Sequence, residues 1–158
     1  MFKNILAVTL LTASFAALFN PQAASAEEVK KADPESIFAR VGGQAAIDAT
    51  VDLFYTKVLA DDRVNYLFED INMNAQIRKQ KEFIGAALGG PVAWEGRDMR
   101  RAHRDLDLTE EHFGAIAEHL AASLKELKVD DKLIGEIMTV VASTKDDVLN
   151  KPKAAGAE

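Results

Sequence analysis

Four residues in the middle of this chain bring donors, acceptors or a metal-binding nitrogen to places where the pattern calls for apolar side chains: Tyr55, Gln76, Gln80 and His103. Tyr55 directly follows Phe54 on a helical stripe with Ile47, Val51, Val58 and Leu59. A helix there turns the phenol inward, where it needs a hydrogen-bond partner. Gln76 and Gln80 share a helical face with Met73, Ile77, Ile84 and Leu88, and amides on an apolar face cost free energy unless they are satisfied. His103 lies on one side of a short helical stretch with Met99, Ala102 and Leu106. Taken singly, each residue has a plain reading: amides at the edge of a stripe within reach of water, and an imidazole satisfied in a core.

Taken together, one inward imidazole opposed by a phenol and two amides, with Phe and Met around them, suits a flat apolar prosthetic group held by one axial ligand. Haem is such a group, its iron held by a histidine and its far side faced by polar donors. The other histidines offer less. His112 follows Glu111 in the expected first turn of a helix and reads as solvated, while His119 is one residue off a buried stripe and reads as a boundary residue. Neither stands at metal-ligand spacing from His103, and no His-Glu-x-x-His occurs, which argues against a zinc hydrolase. The glycine pairs Gly42-Gly43 and Gly89-Gly90 lack the spacing of a phosphate-binding loop.

Composition narrows the field further. The 158 residues include no cysteine, which removes disulfides, thiolate metal centres, cysteine nucleophiles and covalent c-type haem attachment. With 25 acidic against 19 basic residues the net charge is -6, and an acidic chain without a basic stripe is a poor partner for nucleic acid or anionic lipid.

The elements that must position these residues are helical. No period-two runs and no Asn-Gly or Asp-Gly turns occur. The pattern predicts a short helix over 36–40, stopped by Gly42-Gly43, and a longer one over 44–59. Asn72 caps a third that runs to Leu88 and ends at Gly89-Gly90-Pro91, and a short helix covers 98–104. Thr109 caps a helix bearing Phe113, Ile116, Ala117, Leu120, Leu124 and Leu127, with Leu108 and Phe113 as a hydrophobic staple. Asp130 opens one last helix, expected to continue through Val148.

Residues 1–26 read as an address. Lys3 precedes an apolar run from Ile5 to Leu18, and Ala24-Ser25-Ala26 forms a cleavage site. The run is short for a membrane span, so a Sec-type signal peptide and a periplasmic or secreted product are expected, with no stable span after its removal. A charged lead-in at 27–35, an all-α domain at 36–150 and a polar tail at 151–158 complete the expected organisation.

From residue 36 to 150 the chain resembles the group I truncated haemoglobins, the two-on-two globins. The anchors are Val41-Gly42-Gly43, Asp52-Leu53-Phe54-Tyr55, Val58-Leu59-Ala60-Asp61-Asp62, Leu67-Phe68, Gln80-Lys81-Glu82-Phe83, Ala87-Leu88-Gly89-Gly90-Pro91, Met99-Arg100-Arg101-Ala102-His103 and Leu108-Thr109-Glu110-Glu111-His112-Phe113, in that order. The resemblance implies a two-over-two helical sandwich around haem b. It makes His103 the proximal iron ligand and Tyr55 the distal donor to bound dioxygen, with Gln80 and Gln76 in support. It places Phe54, Phe68, Phe83, Ile84, Met99, Ile116 and Leu120 around the haem, and Trp94 at its edge. Lys79 has two readings, an internal sixth ligand or a lysine near the propionates or solvent. Dioxygen, nitric oxide and other diatomic ligands are the implied partners. Conversion of nitric oxide to nitrate would need a separate electron donor. Non-catalytic oxygen or haem binding, storage or sensing is the alternative. A haem-free helical interaction module would leave Tyr55, Gln80 and His103 together unexplained.

Overall fold

The computed structural model describes residues 31–152. The expected leader at 1–26, the start of the lead-in and most of the tail lie outside them. The described residues form seven α-helices and one 3-10 turn, with no strand.

The first two helices meet at a single residue. Ser36 caps α1 (Ile37–Val41) by accepting from the Ala39 N–H, and Gly42 is both the end of α1 and the N-cap of α2 (Gly43–Val58). Its φ of 112° is in the left-handed region, where a side chain would be strained. α2 is the hub of the domain. It packs on α1, on α3 (Met73–Ala87) and on α5 (Glu110–Glu126), and buries Ile47, Val51, Phe54, Tyr55 and Val58. α5 packs in turn on α6 (Asp131–Ser143). Two helix pairs, α2 with α3 and α5 with α6, are thus joined through the α2–α5 contact. The fully closed part of the core sits there, around Ile47, Val51, Val58, Val64, Leu124 and Ile137.

α3 behaves differently. Asn72 caps it by accepting from the Ala75 N–H at 3.1 Å, as its sequence predicts. Yet of its fifteen residues only Gly85 is fully buried, and Met73, Ile77 and Ile84 are half-covered. Its apolar stripe faces a cavity. The helix ends in a Schellman motif: Gly89, at φ 88°, donates to the Ala86 carbonyl, and the Gly90 N–H donates to the Gly85 carbonyl at 2.8 Å. The Phe38 N–H donates to the freed Leu88 carbonyl at 2.8 Å, tying α1 to the end of α3.

The remaining elements are short. A 3-10 turn spans Asn65–Phe68, and α4 (Met99–His103) is capped by the Asp98 side chain. The single final helix expected through Val148 is broken. α6 ends at Ser143, and α7 (Lys145–Val148) follows after Thr144. The Ser143 hydroxyl donates to the Val140 carbonyl at 2.6 Å and the Thr144 hydroxyl to the Val141 carbonyl at 2.8 Å. Hydroxyls bonded back onto the preceding turn compete with the helix ladder and bend it. No described helix is long and apolar enough to cross a membrane.

The end of α3 gives a sharp stability prediction. A Cβ on Gly90 would lie 2.6 Å from the Gly85 carbonyl oxygen, which is backbone and cannot swing away. Gly90→Ala should destabilise the domain by about 1–3 kcal/mol and lower its melting temperature by several degrees, measured calorimetrically. An unchanged melting temperature would show that the turn relaxes freely.

Candidate functional site

The cavity beside α3 has a volume of about 1040 Å³, at the top of the range of roughly 300–1,000 Å³ usual for small-molecule pockets. Its walls come from α2 and the 3-10 turn, from α3, from the 94–97 loop, and from α4, α5, α6 and α7. All the residues singled out from the sequence meet there. α2 and the turn contribute Phe54, Tyr55 and Phe68; α3 contributes Gln76, Gln80, Phe83 and Ile84. Trp94 enters from the loop, Met99 and His103 from α4, and Ile116 and Leu120 from α5.

On one wall the phenol of Tyr55 is buried, only 3% exposed, between rings that meet it edge to face: Phe54 at 5.0 Å and Phe68 at 5.8 Å between centroids. The Gln76 Nε2 amide donates to the phenol oxygen at 3.0 Å. With that oxygen already accepting, the Tyr55 O–H is left to donate. Burial pushes the Tyr55 pKa above its ordinary value of 10.0, and the Gln76 donor acts in the opposite direction by favouring the phenolate. Gln80, one turn further along α3, is half-buried on the cavity wall, whereas Lys79 lines the cavity with its residue exposed.

The two imidazoles on the cavity wall differ in what they have left to offer. His103 Nδ1 lies 2.8 Å from the Met99 carbonyl. A carbonyl only accepts, so Nδ1 carries the proton and Nε2 keeps its lone pair for a metal. His112 has both nitrogens engaged. Its Nδ1 accepts from the Thr109 N–H at 3.2 Å, completing a capping box on α5, and its Nε2 meets the Tyr66 hydroxyl at 2.8 Å. His112 is therefore not the solvated residue its sequence position implies: it closes the start of α5 and touches the cavity wall. Its role was hidden because the reciprocal acceptor of a capping box is ordinarily Glu or Gln. His119 is a boundary residue as expected, its Nε2 2.6 Å from Asp61 Oδ2. Arg63 grips the same carboxylate and, with His119, holds the Asp61 pKa well below the usual range.

At the cavity edge, Trp94 meets Phe83 edge to face at 5.6 Å and donates from Nε1 to the Arg97 carbonyl at 3.0 Å. Gly96 lies against the indole, where any Cβ would come within 1.9 Å of the ring. The sequence did not reveal the wall supplied by Val140, Val141 and Val148: one unbroken helix is expected there, whereas the break at Thr144 puts the last of these on α7.

A large cavity with mostly hydrophobic walls, a metal-ready imidazole nitrogen and an outward-donating phenol fits an iron porphyrin in shape and chemistry. Fold and site together define a two-on-two globin. Residues 36–150 match the family model described as bacterial-like globin, and the chain belongs to that family, among its group 1 truncated haemoglobins. A group 1 truncated haemoglobin of Tetrahymena thermophila is 48% identical over 116 residues, covering 73% of this chain and 96% of the relative. The ferric truncated haemoglobin of Tetrahymena pyriformis superposes with a TM-score of 0.71 at 43% identity, covering 73% of this chain and 98% of that one. The 2/2 haemoglobin of Synechococcus sp. PCC 7002, solved with covalently attached haem, gives a TM-score of 0.71 at 47% identity, over 73% and 99% of the two chains. Variants of the Tetrahymena pyriformis protein have been solved in which one tyrosine and two glutamines are replaced, and these three residues have the same spacing as Tyr55, Gln76 and Gln80. Haem iron is the cofactor of this family, which binds dioxygen and other diatomic ligands.

The Tyr55 environment predicts a pH effect with a definite sign. The folded-state pKa is raised, so the stabilisation is present in full below pH 10.0, the ordinary phenol value, and is lost as pH rises through the folded value. Spectrophotometric titration at alkaline pH should show one phenol ionising late, and Tyr55→Phe should remove that component. Gln76→Leu should delay it further, since the donor favouring phenolate is gone; an earlier ionisation would contradict the assignment.

Proposed function

We propose that His103 Nε2 would hold the iron of a bound haem and that Tyr55, assisted by Gln76 and Gln80, would offer hydrogen bonds to a diatomic ligand such as dioxygen. The observation that carries this reading is the direction of the Gln76–Tyr55 hydrogen bond. Because Gln76 donates, the only proton on the phenol is free to be donated into the cavity. Haem, when bound, supplies the iron coordination site at which a diatomic ligand is taken up. The chain's residues do the rest. The Met99 carbonyl fixes the tautomer and ring orientation of His103. Tyr55 would offer its O–H to a bound diatomic ligand, and Gln80 an amide one helical turn from Gln76. The ring pairs Phe54–Tyr55–Phe68 and Phe83–Trp94 keep the surroundings apolar, which strengthens each hydrogen bond.

The proposed activity is conversion of nitric oxide to nitrate. One nitric oxide, one dioxygen and one electron combine to give one nitrate, so each turnover needs a one-electron reductant. No described part of this chain has a nicotinamide- or flavin-binding fold, and the donor is taken to be a separate protein. Export to the periplasm or beyond, proposed from the leader, would place this chemistry where nitric oxide arrives from outside. Reversible binding of dioxygen without turnover is the alternative.

Three measurements test this. Charge-assisted hydrogen bonds contribute about 1.5–3 kcal/mol, so Tyr55→Phe should raise the dioxygen dissociation rate by about one to two decades; an unchanged rate removes Tyr55 from the mechanism. Purified protein given haemin should show a sharp Soret band that His103→Ala abolishes or strongly alters, and persistence of the band would overturn the ligand assignment. With reductant, dioxygen and excess nitric oxide, repeated nitrate formation per haem supports turnover, whereas a single equivalent leaves reversible binding as the function.

A further inference from the structure

His103 sits on a helix that cannot hold itself in place. α4 has five residues, far below the roughly 12–15 at which an isolated helix becomes even marginally stable in water. Its internal bonds all lie within about one turn: the Asp98 cap, the Ala102 N–H to the Asp98 carbonyl, and the His103–Met99 contact. Among the described residues, the helix it packs on most closely is α7, more than forty residues later in the chain. The link is specific. Arg100, on α4, donates from Nε and Nη2 to a single oxygen of Asp147, on α7, at 3.1 and 2.9 Å.

α7 is in turn fastened to the body of the domain. Lys145 and Lys151, on either side of Asp147, both pair with the Glu110 carboxylate in the first turn of α5. Together they hold the Glu110 pKa below its ordinary value. Lys145 also lies over the Phe113 ring, 5.9 Å from its centroid. Between the two lysines, Val148 lines the main cavity and also a smaller one, of about 270 Å³, that it shares with His103. Segment 145–151 is thus anchored at both ends on α5 and grips α4 at its centre.

We propose that Arg100 and Asp147 are positioning residues for the proximal histidine: the C-terminal strap, through this ion pair, sets the tilt and depth at which His103 meets the cofactor. The inference rests on His103 being the axial ligand. It makes the C-terminal segment part of the proximal machinery, and it makes a pair outside the cavity lining a determinant of the iron–histidine bond.

The test uses reconstituted holoprotein and reads the iron–histidine stretching band of the ferrous ligand-free form by resonance Raman. That band responds to strain at the bond and not to global stability. Asp147→Asn should shift or broaden the band and speed haem transfer to an excess of acceptor apoglobin by up to about five-fold, the ceiling for a half-exposed pair. The charge reversal Arg100→Asp with Asp147→Arg should restore the wild-type band at least in part. Arg40→Gln, which removes the Arg40–Glu136 pair far from α4, serves as the stability control and should leave the band unmoved. If Asp147→Asn lowers the melting temperature as Arg40→Gln does but leaves the band unchanged, the positioning role is overturned while the ligand assignment stands. If His103→Gly keeps the wild-type band, the ligand assignment itself fails and the positioning role with it.

Discussion

The architecture depends on an apolar helix face that the protein does not cover with itself. α3 carries Met73, Ile77, Ile84 and Leu88 on one stripe, yet α2 and the Schellman turn close only the Gly85–Leu88 end of it. The remainder fronts a cavity of about 1040 Å³ in a domain of modest size. Apolar surface facing a cavity rather than packed side chains forfeits both hydration relief and dispersion contacts. The prosthetic group is therefore a structural element as well as a chemical one. Anything that binds the folded chain and not the unfolded one adds its binding free energy to stability, and here it does so at the place where the core is thinnest.

The same constraint explains how the polar groups are disposed. Inside a low-dielectric cavity an unpaired donor or acceptor is costly, and no fully buried side-chain nitrogen or oxygen among the described residues lacks a partner. Each site residue is satisfied in a way that leaves one defined capacity. Tyr55 accepts from Gln76 and retains its proton. His103 gives its Nδ1 proton to Met99 and retains a lone pair. His112, with both nitrogens engaged by Thr109 and Tyr66, retains nothing and is structural. Elimination of this kind separates two cavity-lining imidazoles that composition alone cannot rank.

Much of this was legible in the sequence, and the reason is local. The caps at Asn72 and Thr109, the glycine turns and the apolar stripes are encoded within a few residues of where they act. The exceptions at Tyr55, Gln76, Gln80 and His103 stand out because the period around them is strong. What remained hidden needed a third dimension. Ser143 and Thr144 read as ordinary helix residues until their hydroxyls are seen on the preceding turn. His112 read as solvated because nothing near it in the chain announces Tyr66, forty-six positions earlier.

The two sides of the cavity are held by different physics, and this follows from helix length. Tyr55 and Gln76 stand on helices of sixteen and fifteen residues packed against each other, so their hydrogen bond is framed by many side-chain contacts. His103 stands on a single turn, tied by Arg100 to Asp147 of α7. Rigid elements hold geometry more precisely than short tethered ones. Tyr55 and Gln76 are thus fixed by the core that α2 shares with α3 and α5, and a change there is felt as lost packing. The His103 imidazole stands on a helix held by half-exposed ion pairs, each contributing little alone, whose value lies in acting together on one short segment. A sequence can alter the second set without disturbing the first, which, under the proposed assignment, separates the capture of a diatomic ligand from the placement of the histidine.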